Sequence, residues 1–151
     1  MKEFRESTRF PIFISVLFFF QVILFGFYYF KKDNINNYLL YIVIIFSFIG
    51  LFFILTKLKL IVNESKIMFS FSPLPFYKIE MKDIDKIEFI DISKSKADFG
   101  LGVRYSKDYG WCWISDSKFI LCITKNSGKK ISVSIKDKIS LENFLIDNSL
   151  I

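Results

Sequence analysis

Three side chains in the second half of this chain are of types that recognise something: Arg104, Trp111 and Trp113. A guanidinium can hold a phosphate or a carboxylate through two parallel hydrogen bonds. Arg104 can equally be held within the protein by Asp98 or Asp108. Trp111 and Trp113 flank Cys112, so on a strand the two indoles share one side and the thiol takes the other. Turned outward, the indoles form a binding patch or a headgroup-level anchor; turned inward, they are core.

The residues for covalent or acid-base chemistry are sparse. The chain has no His, which removes the commonest general base and the commonest metal ligand. Ser and Cys are present without a base that spacing can assign to them, so no catalytic, cofactor-binding or metal-binding residue is predicted and the chain reads as a non-enzyme. Cys112 and Cys122 are the only cysteines. A structural zinc site takes four ligands from Cys and His, so these two read as buried free thiols. Asp83, Asp85, Glu88 and Asp91 are interrupted by Lys82 and Lys86, the pattern of a charge-balanced exposed edge. Gly100-Leu101-Gly102 is followed by no Gly-Lys-Ser and no helix start, which makes it a bulge or tight corner in a strand and not a phosphate cradle. No cofactor and no small-molecule substrate are implied.

The elements that must position these residues are strands. Leu58, Leu60 and Val62 alternate with Lys57, Lys59 and Ile61, and after Asn63-Glu64-Ser65 a second alternation sets Ile67, Phe69 and Phe71 on one face, the pattern of a β-hairpin. Pro73 and Pro75 interrupt pairing before a third strand over 76–81. Asp83 is placed to cap a single helical turn carrying Ile84 and Ile87, and extended structure resumes over 88–92 before a polar loop over 93–98. Further strands are predicted over 100–105, 111–115, 119–124 and 131–135, with Asn126-Ser127-Gly128 as the turn of the last hairpin. Asp137 or Ser140 can cap a closing helix with Leu141, Phe144 and Leu145 as its apolar stripe. The expected fold class is therefore α+β, with an antiparallel seven-strand barrel or sandwich over 58–151 whose open end is plugged by a C-terminal helix.

The segment 1–57 is a different material. Two apolar runs, about 10–30 and 38–56, are each long enough for a helix to span the ~30 Å hydrocarbon core of a bilayer, and the short connection makes them a transmembrane hairpin. Lys2, Arg5 and Arg9 before the first run and Lys57, Lys59 and Lys66 after the second outnumber Lys31 and Lys32 between them, which favours both termini in the cytoplasm. Within the hairpin, Gln21 lies nine residues before Phe30 and Ser47 nine after Tyr38, at matching depth for an interhelical hydrogen bond, unless Gln21 is merely tolerated. Gly26 and Gly50 would each allow a close neighbour.

The net charge of +6 excludes little. From residue 57 onward there are 16 Lys+Arg against 12 Asp+Glu, a surplus that reads as a solvated surface or as a preference for an anionic leaflet. Nucleic-acid binding calls for basic residues gathered on one helix or interleaved with aromatics along a groove, and the linear sequence presents neither.

The run Gly100-Leu101-Gly102-Val103-Arg104-Tyr105, then Tyr109-Gly110-Trp111, the strand 119–124, Ser127-Gly128-Lys129-Lys130 and the strand 131–135 resemble the second half of small bacterial membrane proteins with two transmembrane helices and a pleckstrin-homology-like (PH-like) domain. That resemblance implies a PH-like domain anchored in the inner membrane of a bacterium as a multi-pass protein. It implies no defined activity, although some proteins with bacterial PH-like domains are associated with resistance to antimicrobial peptides. The basic cluster with which eukaryotic PH domains hold inositol lipids is not matched, because the first hairpin offers only Lys57, Lys59 and Lys66. The expectation is a non-enzymatic binding or scaffolding module on the cytoplasmic membrane face. Its partners would be the lipid bilayer and a protein or second copy of itself, with Arg104, Trp111 and Trp113 as candidate contacts. The alternative is an accessory or immunity-type protein acting through the hairpin by way of Gln21, Ser47 and Gly50.

Overall fold

The computed structural model describes residues 3–31, 37–94 and 100–150. Lys2 and Lys32, used in the charge count, and Asp98, one candidate partner of Arg104, lie outside the described residues. The chain divides into two compact units, one of residues 10–56 and one of 1–9 together with 57–151.

The smaller unit is a pair of helices, α1 (Ile12–Lys31) and α2 (Asn37–Leu55). α1 starts directly after Pro11, where a fixed φ and a missing N–H suit a first turn. The helices meet through aromatic rings: Phe18 stacks on Phe53 with centroids 5.6 Å apart and lies 5.9 Å from Phe46. Gly50 is buried at this contact, and a Cβ there would stand 3.2 Å from the Cβ of Phe18. Gly26 has open space instead. Ser47 donates its hydroxyl hydrogen to the Val43 carbonyl, 2.8 Å away on its own helix, and Gln21 is exposed, so the expected Gln21 to Ser47 fastening is not formed.

Among the described residues, no helix is long and apolar enough to cross a membrane. The expected transmembrane hairpin, and with it the multi-pass inner-membrane placement with cytoplasmic termini, is corrected accordingly. Phe13, Phe27 and Phe48 of the helical unit stand more than half exposed, part of a larger apolar surface than single scattered side chains would make.

Among the described residues the larger unit holds nine strands in two sheets, not the seven-strand antiparallel barrel or sandwich expected. β1 (Glu3–Arg9), β2 (Lys57–Asn63), β3 (Lys66–Ser72) and β4 (Tyr77–Glu80) form a four-stranded antiparallel sheet in that order. β5 (Ile84–Asp91), β6 (Gly102–Ser106), β7 (Gly110–Ile114), β8 (Phe119–Lys125) and β9 (Lys130–Ile135) form a five-stranded sheet ordered β5-β8-β9-β7-β6. β1 is absent from the expected set because its partner lies some fifty residues on in the chain, with Glu3 opposite Asn63 and Arg9 opposite Lys57. β9 inserts between β8 and β7 and runs parallel to β7, so the sheet is not wholly antiparallel. The helical turn expected to follow Asp83 is instead a 3-10 turn over Met81–Asp83, after which Ile84 already belongs to β5, with a register shift between Ile84 and Lys86.

The local chemistry of the turns is as the residue types require. Asn63 Oδ1 accepts from the backbone N–H groups of Ser65 and Lys66, closing the β2–β3 turn. Gly128 has a positive φ and supplies the left-handed residue of the β8–β9 turn.

Between the sheets lies the core. Leu58, Leu60, Val62, Ile67, Phe69 and Ile79 of the first sheet and Leu121, Ile123, Val133 and Ile135 of the second are buried. α3 (Lys138–Asp147) closes this layer on one side, burying Leu141 and Leu145. Phe144 lies 6.3 Å from Phe4 on β1, and the ammonium of Lys138 stands over the rings of Phe89 and Phe119. Asp137 caps the helix by accepting from the Ser140 N–H at 3.0 Å, and Glu6 on β1 accepts from the N–H groups of Lys136 and Asp137 at 2.6 and 3.0 Å.

Candidate functional site

Register decides which of the recognised residues share a face. Val103 pairs with Trp113, Arg104 with Cys112 and Tyr105 with Trp111 across β6 and β7, while Trp111 and Trp113 stand beside Ile131 and Val133 of β9. Val103, Tyr105, Trp111 and Trp113 therefore continue the inner face that carries Leu121 and Val133. Arg104 turns to the opposite face with Cys112, so the structure brings the two indoles together and separates the guanidinium from them. Gly100 leaves room for that guanidinium, since a Cβ there would collide with Arg104 Nη1.

The two indoles have different surroundings. Trp113 is half-buried, edge-on to Phe69 at 5.0 Å and 5.5 Å from the Tyr77 ring, the last aromatic that the first sheet lays over the second. Trp111 is 52% exposed and meets Tyr105, 63% exposed, at 5.8 Å in an edge-to-face arrangement. Val133 and Leu121, on the same face two and three strands away from β6, are fully buried. The inner face of the five-stranded sheet thus runs past its cover and ends in an uncovered aromatic shelf.

A groove of about 840 Å³ follows this shelf, within the size of ligand clefts. Tyr77, Val103, Tyr105, Trp111, Trp113 and Ile131 supply its apolar wall, and Lys107, Lys125, Lys129 and Lys130 its charge, with no acidic side chain in the lining among the described residues. These lysines meet because β6 and β8 end where β7 and β9 begin. Lys125 Nζ lies 5.5 Å above the Tyr77 ring, and Lys130 Nζ donates to the Asp108 carbonyl at 3.0 Å. Among the described residues, none of the four has a carboxylate within ion-pair distance. Gly110 is required at the corner: its φ is positive and a Cβ would collide with the Lys130 carbonyl.

The opposite face holds the thiols. Cys112 and Cys122 are buried and free, each beside Ser132 across the ladder, and burial pushes both above the usual thiol range. Cys112 clusters with Ile114 and Ile120, and Ile90, Ile92 and Tyr109 pack against them. Of the acidic run, Glu88 pairs with Lys86 at 2.8 Å, and Asp91 accepts from Ser93 N–H and Oγ. Among the described residues, no three His, Cys, Asp or Glu side chains gather as a metal site.

Sequence reasoning alone misses Tyr77, Tyr105 and the four lysines of the groove. The doublet Lys129-Lys130 and the Tyr105/Trp111 pairing are visible as residues, but their neighbours come from distant strands. No protein-family model matches the chain, and no curated protein does.

Proposed function

We propose that the β unit is a non-enzymatic binding module whose recognition surface is the groove along Tyr105, Trp111 and Trp113. The observation that supports it is the exposed shelf: large aromatic side chains held at one end of a core-facing sheet, under a lysine rim that among the described residues holds no carboxylate. Burying exposed aromatics of this size against a partner contributes most of the energy in typical recognition sites, and rim cations set orientation and encounter rate. The partner is a protein or a second copy of the chain. Arg104, on the other face, has no part in this contact.

Co-purification from the source organism, compared between the native chain and a Tyr105→Ala/Trp111→Ala variant, tests the reading. A species retained by the native chain and lost by the variant supports it; sedimentation then separates self-association from a second protein. Equal retention by both chains overturns it.

A further inference from the structure

Resting on that groove reading, we propose that its occupant is an acidic polypeptide segment in extended form, added to β6 as a further strand. Three features meet at one place. The first is a sheet edge: among the described residues β6 pairs with β7 alone, leaving one row of its N–H and C=O groups without a strand partner. The second is the shelf of Val103, Tyr105 and Trp111 directly beside that edge, where alternate side chains of an added strand would land. The third is the lysine group at the end of the sheet where β6 finishes, which favours carboxylates.

The other edges of the two sheets are guarded by charge, and this one is not. β1 carries Glu3, Arg5, Glu6 and Arg9, and β4 carries Lys78 and Glu80. β5 carries Asp85, Lys86, Glu88 and Asp91 and breaks its register. Charges and bulges of this kind deter strand addition. β6, Gly102–Ser106, has one charged residue, Arg104, on the face away from the groove, and neither a proline nor a register shift along its pairing with β7. A single-stranded nucleic acid would use the aromatics and the lysines but would leave the strand edge idle. An extended peptide uses all three, with main-chain hydrogen bonds for affinity and side-chain contacts for choice.

The test uses the full chain and a fluorescent synthetic peptide of about eight residues, a valine-threonine alternation long enough to span β6 with glutamates at both ends. Binding is expected to weaken at least about tenfold with Trp111→Ala, and by a similar factor with Lys125→Gln/Lys129→Gln/Lys130→Gln, which leaves the apolar wall intact. The same peptide N-methylated at alternate amides, in both phases, should lose affinity in one phase, because the donors that would join the ladder are gone. Amide exchange over Val103–Ser106 should slow when the unmodified peptide is bound. If the peptide binds and Trp111→Ala weakens it while both N-methylated forms bind as well, strand addition is overturned and the groove reading stands. If oligothymidylate binds in a Trp111-dependent way and the peptide does not, the peptide inference fails and so does the protein partner of the groove reading, while the groove stands as the binding surface. If neither probe is sensitive to Trp111→Ala or to the lysine variant, both readings fail.

Discussion

The inner face of the five-stranded sheet has a closed side and an open side. At β5 and β8, Phe89 and Phe119 lie under Lys138 of α3, and Leu121 is fully buried. At β6 and β7, on the same face, Tyr105 and Trp111 are more than half exposed. The side chains on the open side are as large as those on the closed side and carry only a hydroxyl and an indole N–H as polar groups. What differs is the cover: a helix and a second sheet over one, and, among the described residues, nothing beyond Tyr77 over the other. An apolar strand face is thus core or recognition surface according to what lies above it.

That contrast can be broken from either side. The largest effect is expected on the closed side: Leu145→Ala should cost about 3 kcal/mol in denaturant unfolding, because truncating a fully buried leucine of the closing helix leaves a cavity. Glu6→Ala should come next, at about 2 kcal/mol in the same measurement, since it leaves the Lys136 and Asp137 N–H groups without their carboxylate and loosens the entry to α3. On the open side the order of effects inverts. Trp111→Ala should change stability by less than about 1 kcal/mol, as its ring is half in solvent already, while abolishing most groove binding. A large loss of stability in that variant would mean that the open side is core after all.

The smallest effect is a pH dependence at the closed side. The hydrogen bonds from the Ser140 hydroxyl and then the Ser140 N–H hold the Asp137 carboxyl below its ordinary value. A carboxyl depressed in the folded state contributes stability that is present above its unfolded pKa and is lost as pH falls through the folded one. Thermal melts of the native chain and of Asp137→Ala should therefore differ at neutral pH and converge as the solution is taken below the normal aspartate range. Native and variant curves that stay equally far apart in acid would show that the cap acts through something other than its charge.

Local chemistry is legible from residue order. The alternation of Leu58, Leu60 and Val62 against Ile67, Phe69 and Phe71 is the β2–β3 hairpin, because both strands and their turn lie within one short stretch. The helix capped by Asp137 follows in the same way from a cap residue and an apolar stripe. β1 is not legible: its residues are mostly polar, and its pairing with β2 closes a loop across the whole helical unit. The Gln21 to Ser47 bond fails for a related reason, since matching depth in two segments does not set the rotation of either helix, and Ser47 has a carbonyl of its own turn within reach. Arg104 stands near Trp111 and Trp113 in sequence, but a strand alternates its side chains, and one position decides the face.

The order of residues by itself determined where most strands and helices form, where they turn, that Trp111 and Trp113 share a side, and that no His takes part in any chemistry. It did so because hydrophobic period, turn residues and caps act over a few positions. Tertiary structure alone decided that β9 lies between β8 and β7, that four lysines from separate segments meet beside Tyr77 and Trp111, and that the inner face of one sheet outruns its cover. Those outcomes depend on which distant strands pair and on what packs above them, and burial is a property of that packing and not of any residue's type.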